Sequence, residues 1–259
     1  METVRIHKES GVAILSLNRP EVFNAFNQLM SRELLTALQQ VDRDGDIRAI
    51  VLTGVGKAFC SGQDLNDRSD PNLQVSLGNS VRERYNPLIL QIVNLSKPII
   101  AAVNGVAAGA GCSLALACDL RIVSNKAKFI EVFSKVGLVL DSGSSYFLPR
   151  LVGLGKAMEL AMTAAPVDAE EAVRIGMANR IVPDEQLQEE AMSWARGFAG
   201  GPTRSYNLIK RSLYKGIESS IEETLEYEAY AQELAGRTDD FREGVSAFIE
   251  KRPAQFKGK

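Results

Sequence analysis

The chain has 259 residues, 45% hydrophobic and 24% charged, long enough to bury a substantial core as one large domain or two modest ones. A formal charge of −2 and a pI near 5.7 remove any electrostatic case for nucleic acid or an anionic membrane as partner. The charged first ten residues do not read as a signal peptide, and three cysteines without C-x-x-C spacing fit a reduced, cytoplasmic protein.

Residues 4–7 and Val12–Leu17 flank a Glu-Ser-Gly turn and predict a hairpin. His7, the only histidine, falls with Thr3 and Arg5 on the polar face of the first strand, which makes it solvent-facing. A Ser-His-Asp or Cys-His mechanism therefore has no base, and zinc has no ligand cluster; no metal site is expected. Leu29, Met30, Leu34, Leu35, Leu38 and Val41 recur at helical spacing, and the charged break at 42–46 ends that helix. Residues 47–53 read as a buried strand, and Gly54-Val-Gly-Lys57 as a loop leading into Ala58-Phe-Cys-Ser-Gly-Gln-Asp-Leu65. The polar stretch 66–77, with its Asp-Pro step, predicts a mobile surface loop, and 79–95 a helix.

The longest uncharged run begins at Pro98 and ends at Cys118. It opens as a strand over 99–103, breaks at Asn104-Gly105 and resumes as an alanine-rich helix from about Gly109. Glycines and Asn104 interrupt it too often for a membrane span, and the mean hydropathy of the chain is −0.06. Gly109-Ala-Gly-Cys-Ser-Leu114 lacks the third glycine of a dinucleotide fingerprint, and neither Gly-Lys step is followed by Ser or Thr, so a phosphate-cradling loop is absent. A turn of small residues that opens a helix leaves backbone N–H groups unpaired and aligned, able to hold negative charge developing on an oxygen. A tightly packed strand–helix junction without a ligand is the other reading of the same residues.

Strands are expected at Leu120–Ser124 and Lys128–Ile130. From Gly155 the chain reads as helices, at 155–163, 168–175, 184–199, 202–215, 218–235 and 239–250. The architecture is α/β: a core of repeated strand–strand–helix units over 1–195, then a helical region over 196–259 that covers the core or a neighbouring subunit. Leu213, Tyr214, Leu225, Tyr227, Tyr230, Leu234, Phe241 and Phe248 favour a packed tail over a free arm.

Several motifs together resemble the crotonase (enoyl-CoA hydratase/isomerase) superfamily. They are Asn18-Arg-Pro-Glu-Val-Phe-Asn-Ala25, Gly56-Lys-Ala-Phe-Cys-Ser-Gly-Gln-Asp-Leu65, Lys97-Pro98, Asn104-Gly105, Gly109-Ala-Gly-Cys112, Cys118-Asp119 and Gly137-Leu-Val-Leu-Asp-Ser-Gly143. The likeness runs to Glu243-Gly-Val-Ser-Ala-Phe-Ile-Glu-Lys-Arg252 and so covers essentially the whole chain. It implies a crotonase spiral of β-β-α units with a helical C-terminal trimerisation region, trimers often pairing into hexamers. It also implies an acyl-CoA thioester substrate and no separate cofactor, coenzyme A being part of the substrate.

By the same resemblance the thioester oxygen sits between the backbone N–H groups of Gln63 and Ala110. The two glutamates that hydratases of the family use are replaced here by Ser113 and Phe133, so ordinary hydration should be poor. Asp141 stands where hydratases usually have glycine, which looks like the 1,2-epoxyphenylacetyl-CoA isomerases and, with Glu for Asp, some Δ3,Δ2-enoyl-CoA isomerases. One carboxylate above an enolate can take a proton from one carbon and return it at another. Phe133, Val136, Leu138 and Leu140 are expected to surround Asp141 and desolvate it; the loop departs from the family pattern at Leu140, where proline is common. A helix N-cap is the alternative role for Asp141.

Glu131 is expected to point away from the pocket if Phe133 points in. The hydroxyls of Ser113 and Ser144 are candidates for orienting substrate or water. The resemblance further implies coenzyme A contacts from Asn24, Ala25, Ser61, Gly62, Asp64 and Leu65, as adenine-binding walls that act largely through backbone groups, from Gly109, and from the C-terminal pair Phe248 and Lys251, which reaches the nucleotide in relatives. Asn66 replaces a lysine that often meets the phosphates, and a solvated surface charge is the alternative at Lys251. The implied function is an acyl-CoA isomerase of fatty acid or phenylacetate breakdown. The alternatives are a single-acid enoyl-CoA hydratase (a lyase), a dehalogenase-like enzyme and a non-catalytic acyl-CoA binder.

Overall fold

The computed structural model describes residues 1–64 and 76–259; Leu65 and most of the expected surface loop at 66–77 lie outside the described residues. β1 (Val4–Glu9) and β2 (Val12–Leu17) form the expected antiparallel hairpin, with Glu9 opposite Val12 and His7 facing solvent. α1 (Gln28–Arg43) starts at Asn27, whose side chain accepts the Met30 N–H at 2.8 Å. Met30, Leu34, Leu38 and Val41 recur on its buried face. At its other end the Lys97 ammonium donates to the carbonyls of Val41 and Asp44, both at 2.6 Å, meeting the negative end of the helix dipole.

Three strand–strand–helix turns follow. The first comprises β3 (Ala49–Gly54), β4 (Ala58–Cys60), α2 (Leu77–Ser80), a π-helical turn over Val81–Tyr85 and α3 (Asn86–Asn94). β5 (Ile99–Val103), β6 (Val106–Ala108) and α4 (Ala110–Ala117) form the second. β7 (Leu120–Ser124), β8 (Lys128–Ile130), α5 (Ser144–Val152) and α6 (Leu154–Thr163) form the third. β9 (Val167–Asp168), α7 (Ala169–Arg174) and β10 (Arg180–Val182) close the core.

The first strand of each turn enters one sheet, of order β1-β2-β3-β5-β7-β10, and the second enters another, of order β4-β6-β8-β9. Pairing is parallel except at β1–β2 and β8–β9. Stepping between two parallel sheets is what makes the chain a spiral. Every residue of β5 is buried, as a parallel strand covered on both faces requires. Strand alternation splits the core: Ile50, Leu52, Ala101 and Val103 join the side of α1, α3 and α4, while Val51, Ile100, Ala102 and Ile122 join the side of α8 (Leu187–Ala199).

The tail continues as α9 (Thr203–Gly216), α10 (Ile221–Gly236) and α11 (Asp239–Glu250). Polar ties hold it to the core. Lys210 pairs with Asp119 at 2.8 Å, and Arg48 donates to Thr203 Oγ1 at 2.9 Å and to the Phe256 carbonyl at 3.0 Å. The expected packing of its apolar side chains is met only in part. Tyr214 packs against the core, but Leu213, Leu225, Tyr230, Phe241 and Phe248 are exposed, so this chain does not cover them. Among the described residues no helix is long and apolar enough to cross a membrane.

Candidate active site

The site forms where β4 and β6 run out side by side. Past β4, the Phe26 N–H donates to the Gly62 carbonyl at 2.7 Å and the Asp64 N–H donates to the Phe26 carbonyl at 2.8 Å. A parallel bridge of this kind uses the groups of the two flanking residues, so the N–H of Gln63 itself points to the opposite side. The Gln63 side chain is fixed: its amide donates to the carbonyls of Phe26 (3.1 Å) and Asp64 (3.0 Å), and its oxygen accepts the Tyr85 hydroxyl. Tyr85 sits in the π-helical turn, a local rewinding that re-aims a side chain.

Past β6, the Gly109 N–H donates to Ile130 and α4 begins; the first helical bond runs from the Ser113 N–H to the Gly109 carbonyl at 2.9 Å. The N–H of Ala110 precedes that bond, and neither it nor the Gln63 N–H meets an acceptor among the described residues. Two glycines bring these donors together. Gly62 (φ 96°) lies where a Cβ would stand 2.8 Å from the Ala108 carbonyl oxygen and 3.6 Å from the Ala110 nitrogen. Gly109 (φ 51°, ψ −124°) turns the chain into α4, with Val132 3.3 Å and Phe133 3.9 Å from where its Cβ would be. Phe133 is buried there, against the helix start.

Asp141 is fixed to the same helix. Its carbonyl oxygen accepts the Ser113 hydroxyl at 3.1 Å and the Ser144 N–H at 3.0 Å, and its carboxylate accepts the Ser142 hydroxyl at 2.8 Å. Ser142 and Gly143 both take left-handed conformations, and Gly143, not Asp141, occupies the N-cap of α5. The capping role considered for Asp141 is thereby removed. Its expected apolar wall is also smaller than foreseen: Phe133 is buried, but Val136 is 59% exposed and Leu138 is exposed too.

One further expectation needs correction. Ser113 is 0% exposed, and its hydroxyl is used on the Gly109 and Asp141 carbonyls, out of reach of substrate. The Asn24 side chain is internal too, donating to Val55 and Ala58 and accepting the Arg19 N–H, which agrees with a wall that offers backbone groups. Together with the Arg19–Asp64 ion pair at 2.9 Å, the Arg19 bond to the Ala25 carbonyl and the Ser61 N–H bond to Phe23, it welds the 19–25 turn to residues 61–64. These residues build a wall beside the donors rather than reaching out of it.

Phe248 is 86% exposed and Lys251 is exposed at the end of α11, beside a surface groove formed with α9, α10 and Phe256.

Glu131 is buried, its Oε1 accepting the Ser144 hydroxyl at 2.6 Å and the Cys112 thiol at 3.3 Å, so its side chain is spent on the protein interior. Burial pushes its carboxyl above the ordinary range, the bonds from Ser144 and Cys112 partly offset this, and the nearby Asp141 charge adds to the rise. Phe129, Glu131 and Phe133 share one parity in the sequence and all three are buried, although the chain leaves β8 after Ile130 and winds into a 3-10 turn over Val132–Val136.

Thiolate chemistry has no foothold, because burial pushes Cys60 and Cys118 up to about 12 and Cys112 well above its usual value. The arrangement offers two main-chain donors side by side and one acid tied to the same helix start. That combination suits stabilisation of an oxyanion and movement of a proton.

The profile of the family described as enoyl-CoA hydratase/isomerase matches residues 7–259. The chain is 47% identical over 261 residues, with 100% of both chains covered, to 1,2-epoxyphenylacetyl-CoA isomerase of Escherichia coli (strain K12). It is 34% identical to short-chain-enoyl-CoA hydratase of Clostridium acetobutylicum, covering 97% of this chain and 96% of that one. The crystal structure of enoyl-CoA hydratase from Bacillus anthracis superposes with a TM-score of 0.93 at 32% identity, covering 100% of each chain. On sequence and fold alike, this chain belongs to the enoyl-CoA hydratase/isomerase family and has the crotonase fold.

Proposed function

We propose that the protein is an acyl-CoA isomerase that moves a proton on a coenzyme A thioester through an enolate. The N–H groups of Gln63 and Ala110 hold the thioester oxygen, and Asp141 removes the proton and returns it elsewhere along the conjugated system. Double-bond migration and rearrangement of a ring epoxide are both within this chemistry. The observation that carries the reading is the Ser113 hydroxyl, which ties the Asp141 backbone to the carbonyl of Gly109, the residue before Ala110. Two fixed donors supply on the order of 3 kcal/mol each to a developing oxyanion. Asp141 then needs no partner acid, because the proton it takes is the proton it gives back.

Hydration is the second reading, favoured by the hydratase names among the relatives. Water addition needs one group to deprotonate the water and a positioned proton for the carbon. The fully buried Ser113 and the buried Phe133 supply neither. The exposed apolar side chains of α9–α11 support assembly of copies of this chain into a trimer or hexamer, in which Phe248 and Lys251 reach a neighbour's nucleotide.

The deciding experiment presents 3-enoyl, 2-enoyl and ring-epoxide coenzyme A thioesters to the protein and to Asp141→Asn. Isomerised product from wild type and none from the variant, with thioester binding retained, is the expected result. Wild-type turnover by Asp141→Asn would end the proposal, and water addition as the main reaction would favour the hydratase.

A further inference from the structure

Glu131 is the buried acid beside the site that the proposed proton transfer does not use. It follows β8, is 2% exposed, and lies between the start of α4 and the start of α5. Its Oε1 takes two donors, Ser144 and Cys112, while its Oε2 has no partner among the described residues. Among those residues no cation reaches it. Lys128 and Lys135 are exposed, Arg121 donates to the carbonyls of Leu116, Cys118 and Met177, Arg150 stacks on Tyr146, and Lys156 pairs with Glu159. The ionisable groups that face it are Asp141 and the Cys112 thiol. A buried carboxylate with an anionic neighbour, no counterion and an unmatched oxygen is costly; the acid form carries no such charge.

We propose that Glu131 is a positioning residue for Asp141: a neutral carboxylic acid that clamps Ser144 to Cys112 and so fixes the turn carrying Asp141 over the start of α4. This rests on the reading of Asp141 as the base. The Ser144 N–H closes that turn on the Asp141 carbonyl at 3.0 Å, so Ser144 cannot shift without moving Asp141. Cys112 lies on α4 itself, two residues beyond the donor Ala110. In its neutral form Glu131 also places no second negative charge beside Asp141.

The test compares wild type with Glu131→Gln, which mimics the neutral acid, with Glu131→Ala and with Ser144→Ala. The infrared spectrum of wild type at neutral pH should show a protonated-carboxyl band that is missing in Glu131→Gln and shifted in Ser144→Ala, where its donor is gone. The melting temperature of wild type should fall relative to Glu131→Gln as the pH rises above about 4.5, the ordinary glutamate value. A group whose proton affinity is raised by folding stabilises the fold fully only below its unfolded pKa.

With a 3-enoyl thioester, Glu131→Gln should stay within about threefold of wild type with the same acid limb in kcat/KM, while Glu131→Ala loses about tenfold or more in kcat with KM little changed. Lack of the carboxyl band, an acid limb displaced in Glu131→Gln, or normal kcat in Glu131→Ala would overturn the proposal. The infrared and melting measurements need no substrate. Full turnover by Asp141→Asn would instead remove the base reading, and the positioning role with it, while leaving the band in place.

Discussion

The Ser113 hydroxyl stands 3.1 Å from the carbonyl oxygen of Asp141, and its other acceptor is the Gly109 carbonyl at 3.2 Å. One buried side chain thus spans 28 residues of sequence and joins the candidate acid to the turn that presents a candidate oxyanion donor. Ser113→Ala deletes only that link. A net hydrogen bond is worth about 1 kcal/mol, so chemical denaturation should show a stability loss of that order. The kinetic effect should be larger, with kcat falling about tenfold and KM within about twofold, because only the placement of the acid is disturbed. Unchanged kcat in a correctly folded Ser113→Ala would show that the link has no part in placing Asp141.

Gly109 is constrained twice, by a backbone conformation at φ 51° and ψ −124° and by Val132 on its open side. Gly109→Ala should cost about 1–3 kcal/mol of stability. The turn relaxes by moving the Ala110 N–H, and loss of one such donor typically lowers kcat by about 10²–10³-fold. Melting curves and single-turnover rates check the two effects separately. A variant that melts earlier yet turns over normally would detach Ala110 from the chemistry.

Long periodic elements were legible in the sequence because burial writes its period into them. The helix of Met30, Leu34, Leu38 and Val41, the uniformly apolar β5, and α11 over Asp239–Glu250 all appear where they were expected. β4 and β6 were not, since the small residues in and around them suit a turn equally well, whereas β8, just as short, was. α5 was missed because Pro149 interrupts its pattern and Gly143 starts it without a capping side chain. At the site, the motif residues drew attention to Asp141, Gln63 and Ala110. The internal role of Ser113 and the partners of the Asn24 side chain depend on long-range hydrogen bonds that no local pattern records.

Asp119 and Lys210 join the core to the tail at 2.8 Å, with the second Asp119 oxygen accepting the Ile99 N–H at 2.9 Å. Burial raises the Asp119 carboxyl above its usual range and Lys210 partly opposes that rise. Lys210→Met strands a half-buried charge, which should cost less at neutral pH than the about 3–5 kcal/mol of breaking a fully buried pair. A carboxyl whose folded pKa is raised binds its proton more tightly in the folded state, so its stabilising protonation is lost as the pH climbs above about 3.8. The penalty of Lys210→Met should therefore be smallest near that value and grow toward neutrality. Denaturant titrations at acid and neutral pH measure it, and a penalty independent of pH would mean that packing, not charge, is what the lysine contributes.

Ile209 and Leu213 on α9 and Ile217 at its C-cap recur every four residues and are all exposed, Leu213 at 68%. Apolar area left in water forgoes about 25 cal/mol per Å², and three aliphatic side chains on one helical stripe are an unusual surface for a chain that stays alone. A neighbouring copy of the chain that covered the stripe would recover that energy. Leu213→Asp should then leave the far-ultraviolet circular dichroism of the fold unchanged, because the side chain touches little within its own chain. It should lower the mass seen by sedimentation velocity from that of an oligomer to that of smaller species. Wild type sedimenting as a single chain, or Leu213→Asp retaining the full assembly, would show that the stripe is not an interface between copies.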